Sequence, residues 1–223
     1  MGAKEAITKR KSIRAYKKDP VAKEVLQEIL EIAVRAPSGM NTQPWEVTVV
    51  AGQALDDIRN GNIESLSSGK TPASDFGPGE AYDGVYKQRQ RDLAMDLYGL
   101  LGIGREDKQK RMEWTMHGFR AFEAPALMIL CVDESLDARS ACSDVGGLVQ
   151  TICLAAMDFG LGTCINGQSI WFPEVVRKVT GIPESKKIAI SIAIGYPDWD
   201  HPSNKLESKR ESIENIISWC GFE

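Results

Sequence analysis

The sequence predicts an α+β protein, a layered sheet with helices on both of its faces, and three observations carry that expectation. Lys187 to Tyr196 runs Ile188, Ala189, Ile190, Ile192, Ala193, Ile194, and a continuous apolar run of that length is a strand covered on both faces. Arg139 to Phe159 carries Ala141, Cys142, Val145, Leu148, Val149, Ile152, Cys153, Ala155, Ala156 and Phe159, a helix with almost no polar face, which must be covered all round. Segments of helical period alternate with short apolar runs, without internal repeats or a break in composition. A single domain over residues 1–223 follows. The apolar helix needs the protein's own sheet on one side and a second subunit on the other, so a homodimer is expected.

The elements follow in order. Ala3 to Lys9 opens as a short helix. Asp19-Pro20 suits a helix start, and Val21, Val25, Leu26, Ile29, Leu30, Ile32 and Ala33 form one apolar face before Pro37. A loop dense in small and amide side chains, Ser38 to Pro44, leads to Trp45 and a strand over Glu46 to Ala51. Gln53 to Leu66 reads as a helix. Ser67 to Gly84 is a long Ser/Gly/Pro-rich loop, of the kind that often serves as a lid or substrate wall. Tyr86 to Leu101 and Glu106 to Phe119 read as helices, and Ala126 to Val132 as a strand. After the apolar helix come a short strand at Thr163 to Ile165, a helix at Pro173 to Thr180 closed by Gly181, the long apolar strand, and a polar tail before Ile213 to Trp219.

Composition narrows the function classes. The 223 residues are 43% hydrophobic and 26% charged with a net charge of −4, which argues against a broad nucleic-acid-binding face. Asp144, Gln150 and Asp158 interrupt the apolar helix, so it reads as a core helix and not a membrane span. Met1 to Ala6 leads into polar residues without an apolar leader, which points to the cytoplasm. Cys131, Cys142, Cys153 and Cys164 fall at equal intervals, but without the close pairs that metal sites use. They read as reduced thiols on separate elements.

Two phosphate-binding signatures fail. Gly69-Lys70-Thr71 imitates the end of a P-loop, yet the required earlier glycine falls at Glu64. Gly160-Leu161-Gly162 begins like a dinucleotide fingerprint, but its third glycine is misplaced. His117, beside Trp114 and Phe119, reads as a structural hydrogen-bonder and not a catalyst.

What remains is Arg10-Lys11-Ser12-Ile13-Arg14. In extended backbone, Arg10, Ser12 and Arg14 point one way while Lys11 and Ile13 point the other. Arginine forks and a serine hydroxyl suit phosphate oxygens. Asn166-Gly167-Gln168 stands exposed at a strand end, where backbone beside a glycine can approach a ligand closely.

Three separated segments together resemble the FMN-dependent nitroreductase family. They are Arg10 to Arg14, Ala36-Pro37-Ser38-Gly39-Met40-Asn41-Thr42-Gln43-Pro44-Trp45, and the stretch from Gly160-Leu161-Gly162-Thr163 through Gly195-Tyr196-Pro197 to Lys209-Arg210 and Glu214. The resemblance implies a three-layer α/β/α sandwich with a mixed central sheet, interlocked as a homodimer with FMN at the subunit interface. It implies that Arg10 and Ser12, with Lys209 and Arg210, hold the flavin phosphate, that Lys11 belongs to the cofactor-binding stretch, and that Arg14 supports the pyrimidine edge electrostatically. It implies that Pro37, Ser38, Gly39, Asn41 and Gln43 arrive from the partner subunit, and that Ile165, Asn166, Gly167 and Gln168 lie near flavin N5.

The implied activity is ping-pong hydride transfer from NADH or NADPH to nitroaromatics, quinones or related small electrophiles. The flavin carries the reactivity, so no protein nucleophile or base is called for, and no metal, nucleic acid or membrane enters. An acidic residue is common before the glycine near N5, where Asn166 stands here. Ser67 to Arg105, with Tyr82, Tyr86, Arg89 and Arg91, is expected to supply much of the substrate wall. A reductive dehalogenase of the same fold, and a flavin- or nucleotide-binding sensor without turnover, are the alternatives.

Overall fold

The computed structural model describes residues 2–77 and 81–222. Its sheet has four strands, β1 (Trp45–Ala51), β2 (Ala126–Asp133), β3 (Gly162–Asn166) and β4 (Lys186–Gly195), in the spatial order β1-β2-β4-β3. Every pairing among these strands is antiparallel. The mixed character expected of the sheet enters at its β3 edge, where Ser12 bridges Thr163 in parallel.

Helices cover both faces: α1 (Ala3–Lys9), α2 (Lys23–Ala33), α3 (Gly52–Ser67), α4 (Gly84–Leu100), α5 (Lys108–Phe119), α6 (Ala138–Asp158) and α7 (Pro173–Thr180). The period-2 alternation of β2 explains the two layers. Met128, Leu130 and Val132 turn to α2 and α6, where they meet Ile29, Leu148 and Ile152. Leu127, Ile129 and Cys131 turn to the other side and meet Leu55, Ile58, Phe122 and Val176 of α3, α7 and the turn after α5. This is why β2 and the heart of β4 read as unbroken apolar runs.

Some boundaries differ from expectation. Asp19-Pro20 does not open α2; the helix begins at Lys23 with Ala22 as its cap and ends at Ala33, four residues before Pro37. Cys142 and Cys153 are not on separate elements but share α6, about 16 Å apart at 1.5 Å per residue. The loop expected over Ser67 to Gly84 begins after α3, and its residues 78–80 lie outside the described residues.

α6 has the length and composition of a membrane-crossing helix, yet less than half of its apolar window is buried within the chain. Leu148, Ile152, Cys153 and Ala156 face the sheet. Cys142, Ser143, Gly146 and Gln150 form an exposed stripe one turn apart.

Candidate active site

The basic stretch lies along the free edge of β3. Ile13 N–H donates to the Thr163 carbonyl (2.9 Å), and Ile13 and Ala15 are buried while Arg10, Ser12 and Arg14 are half-buried. Gly162 makes this approach possible: a Cβ there would stand 2.5 Å from Ile13 Cγ1 and 2.7 Å from Pro197 Cγ. The Gly-x-Gly pair is thus explained without a dinucleotide, since Gly160 turns the chain out of α6 at φ 70° and Gly162 admits the N-terminal segment. Among the described residues neither Arg10 nor Arg14 has a carboxylate partner; Arg14 reaches only the Ser12 carbonyl, at 3.4 Å. Two half-buried guanidiniums without a counter-charge suit an anionic ligand.

Lys11 lies otherwise. It pairs with Glu207 (2.6 Å) and sits over the Trp199 ring, beside a cavity of about 230 Å³ lined by Ile13, Gly160, Gly162 and Pro197.

Since Ser12 bridges Thr163 in parallel, Arg14 falls alongside Ile165 two residues on. Ile165 is 43% exposed, an apolar side chain bordering a cavity of about 340 Å³ with Val145, Gly146, Val149 and Ile190. The next residues are fixed from behind. Asn166 is buried; its amide donates to the Gly118 carbonyl (2.8 Å) and its Oδ1 accepts from Ser169 N–H. The Gln168 side chain presses on Gly118, where no Cβ would fit. Side chains at 166 and 168 are therefore structural, and what this segment offers a ligand is its backbone and Gly167.

The thiol of Cys164 is buried, which pushes it up to about 11 against the opposing influence of Arg14 and a Ser12 hydrogen bond. It is an inert neighbour of the site.

The loop after α2 is held against α6. Gly39 N–H donates to both oxygens of Asp144 (3.2 Å each), and Gln43 N–H to Ser38 Oγ (2.9 Å). Met40, Asn41 and Gln43 have φ of 51°, 58° and 48°, a costly conformation for residues with a Cβ, and Met40 is 98% exposed. Asp144 lies about 200° around the helix from Gly146, and about 20 Å along it from Met157, which lines the cavity beside Arg10. Within one chain, then, Pro37 to Gln43 and Arg10 to Arg14 sit on different parts of α6 and do not converge.

The Lys11–Glu207 pair ties the tail to the N-terminal stretch two residues before Lys209. The side chains of Lys209 and Arg210 face α4 and their own segment: Lys209 pairs with Asp96 (3.1 Å) and Arg210 donates to Ser208 and to the Lys209 carbonyl. Arg89 pairs with Glu211 (2.7 Å) and lies over Tyr86. Tyr82 and Tyr86 are exposed, and so is Arg91.

Two contributors had no local signal, Asn204 and Asp144, and a third, His117, was legible as a hydrogen-bonder but not as a partner of Arg14. Asn204 holds the backbone around Arg14 from 190 residues away. His117 donates to the Arg14 carbonyl. Asp144, which in the sequence only interrupts an apolar helix, anchors the loop at Gly39.

Residues 7–196 match the model of the Nitroreductase family. The chain is 31% identical over 214 residues to 4-nitrobenzoate reductase of Nocardioides sp., covering 94% of this chain and 86% of that protein. Its fold superposes on the FMN- and NADPH-dependent nitroreductase NfnB of Sphigopyxis sp. strain HMH with a TM-score of 0.93 at 30% identity over the full length of both chains. It superposes on the FMN-dependent nitroreductase NfnB of Mycobacterium smegmatis, solved with NADPH, with a TM-score of 0.91 at 28% identity, covering 98% and 97%.

Proposed function

The chain belongs to the nitroreductase family, and from that membership we propose that it is an FMN-dependent oxidoreductase that uses NADPH to reduce nitroaromatic compounds, donor and acceptor taking turns at one site. FMN, when bound, supplies the hydride relay between the two substrates. The protein's contribution is to hold the cofactor and to set the charge around it.

The observation that carries this reading is the parallel pairing of the basic stretch with β3. Along β3 it sets Arg10 near Leu161, Ser12 beside Thr163 and Arg14 beside Ile165, one residue before Asn166-Gly167, and among the described residues neither arginine has a carboxylate partner. That donor set fits a flavin phosphate at one end and a pyrimidine edge at the other. Arg10 and Ser12 hold the phosphate, joined by Lys209 and Arg210 once these leave Asp96 and the tail. Lys11 serves the phosphate end indirectly, by fixing the tail through Glu207. Arg14 fixes a positive charge beside the pyrimidine ring, which favours an electron-rich cofactor. Ile165 gives an apolar floor, and the backbone from Asn166 to Gln168 supplies donors at the reacting edge.

Two copies complete the site. Pro37, Ser38, Gly39, Asn41 and Gln43 cannot meet the Arg14 region of their own chain from the opposite flank of α6, so they serve the site of the partner. The exposed small-residue stripe of α6 suits close packing of that helix against its twofold mate. The exposed Ile213, Ile216, Ile217, Trp219 and Phe222 of the tail suit an arm laid on the partner. The whole chain acts as one FMN-binding domain in the cytoplasm, where NADPH is supplied.

The deciding experiment is an absorbance spectrum of the purified protein, followed by anaerobic NADPH and then 4-nitrobenzoate. Flavin absorbance that bleaches with NADPH and returns with the acceptor is expected. Colourless protein that takes up no FMN would overturn the reading.

A further inference from the structure

We propose that His117 is a positioning residue for Arg14, holding that residue's backbone so that its guanidinium stands at a fixed place on the flavin; this rests on the FMN reading above. The need for such a residue follows from the strand geometry. Where Ile13 pairs with Thr163, alternate residues send their N–H and C=O away from β3. At Arg14 both backbone groups point off the sheet, and each meets a side chain. Its N–H donates to Asn204 Oδ1 at 2.7 Å, and its carbonyl accepts from His117 Nε2 at 3.0 Å.

Both holders are themselves constrained. Asn204 is buried and donates to the Ala15 and Asp198 carbonyls, each at 2.8 Å. The His117 ring is set between Trp114 (5.2 Å) and Phe122 (5.5 Å, edge-on). Phe122 is the middle of three consecutive non-glycine residues, Ala121 to Glu123, with φ of 52°, 55° and 56°. Such a run persists only when its surroundings enforce it. Here buried Arg59 spans it, donating to the Arg120 and Ala124 carbonyls on either side. An unfavourable turn is thus spent on seating an aromatic ring behind His117.

The next residue of the same helix, Gly118, accepts from the Asn166 side chain. Consecutive positions of α5 therefore anchor both segments assigned to the flavin, Arg14 on one side and Asn166-Gly167 on the other. Burial keeps the His117 imidazole below its ordinary range, with the hydrogen bond to the Arg14 carbonyl and then Glu123 opposing, and His201 and Arg120 reinforcing, that effect. The neutral ring donates through Nε2 without adding a cation next to Arg14.

The test compares FMN reduction potentials and anaerobic rate constants for reduction by NADPH in the wild type, His117→Phe, His117→Gln, Arg14→Ala and the Arg14→Ala/His117→Phe double variant. Melting of the FMN-free proteins is followed alongside. His117→Phe is expected to keep FMN, to lower the potential and to slow reduction by about five- to tenfold, the size of one lost hydrogen bond. His117→Gln, which retains a donor, is expected to stay near the wild type. In the Arg14→Ala background the His117 change should add nothing.

An unshifted potential in His117→Phe, an equal effect with and without Arg14, or a change confined to melting would overturn the proposal. Should His117→Phe fail to fold, His117→Asn, too short to reach the carbonyl, takes its place with the same expectations. A wild-type protein that binds no FMN would instead remove the reading beneath it, before any variant is compared.

Discussion

Lys11 Nζ stands 2.6 Å from Glu207 Oε1, so the basic stretch at the start of the chain and the tail that bears Lys209 and Arg210 are joined through an acidic residue that no motif marks. If this pair delivers the tail to the phosphate, Glu207→Ala should raise the FMN dissociation constant by about two- to fivefold, the range for a partly exposed ion pair. High salt should shrink the difference. Flavin fluorescence titrations at low and high ionic strength measure both, and equal constants at low salt would detach the pair from cofactor binding.

On the proposed assignment, Arg10→Ala and Arg210→Ala each remove a charge-assisted phosphate contact. Such contacts contribute about 1.5–3 kcal/mol, so FMN retention should fall by an order of magnitude or more in each. Occupancy after gel filtration reads the loss directly. Undiminished flavin in both variants would remove the phosphate assignment.

Gly146 lies on the exposed stripe of α6, and a Cβ built there meets nothing within 4 Å. Within one chain a Cβ at this position meets no clash, and helix propensity favours leucine over glycine there by up to about 1 kcal/mol. In a dimer packed through this stripe Gly146→Leu is a steric block. Sedimentation should show monomers that have lost FMN; a leucine variant that sediments as a dimer with its flavin would place the twofold contact elsewhere.

His117 titrates below its ordinary 6.5 because burial disfavours the imidazolium. A group whose folded pKa is depressed binds its proton more readily in the unfolded chain, so its contribution to stability is present above 6.5 and is lost as pH falls through the folded value. Wild-type stability should decline as pH falls below about 6.5 more steeply than that of His117→Gln, which has no proton to gain. Urea unfolding at several pH values gives the two slopes, and parallel curves would refute the linkage.

Arg59 is 8% exposed and donates to two carbonyls that bracket the left-handed turn at Ala121 to Glu123. Arg59→Met keeps the aliphatic stem but leaves both carbonyls without that donor, and should destabilise the fold by about 3 kcal/mol. Chemical denaturation would show it as a shifted midpoint with an unchanged slope. A loss below about 0.5 kcal/mol, typical of unremarkable surface positions, would mean the turn holds itself.

Helices and strands were legible because their signals are local and periodic. The apolar run of β4 announced a strand covered on both faces, that of β2 a short apolar strand, and α6 a helix needing cover beyond one sheet. The start of α2 was misread because Asp19-Pro20 is a good capping pair wherever it stands. The pairing of Tyr16 with Pro197 and of Lys17 with Tyr196 holds that segment extended instead. Gly160-Leu161-Gly162 could be rejected as a nucleotide signature from spacing alone. Its actual purpose, admitting Ile13 to the sheet edge, requires knowing what lies across from it.

The amino-acid sequence by itself determined which residues carry charge, which runs must be buried, and that Arg10, Ser12 and Arg14 share one side of an extended segment. Only the tertiary structure decided what that side faces and what holds it there. Thr163, Asn204, His117 and Asp144 act on partners about a hundred or more residues away, and nothing in the spacing of neighbours along a chain encodes such a meeting. Backbone periodicity is a property of a few consecutive residues, whereas the satisfaction of a stranded N–H or carbonyl is settled by whichever side chain the packed layers bring within reach.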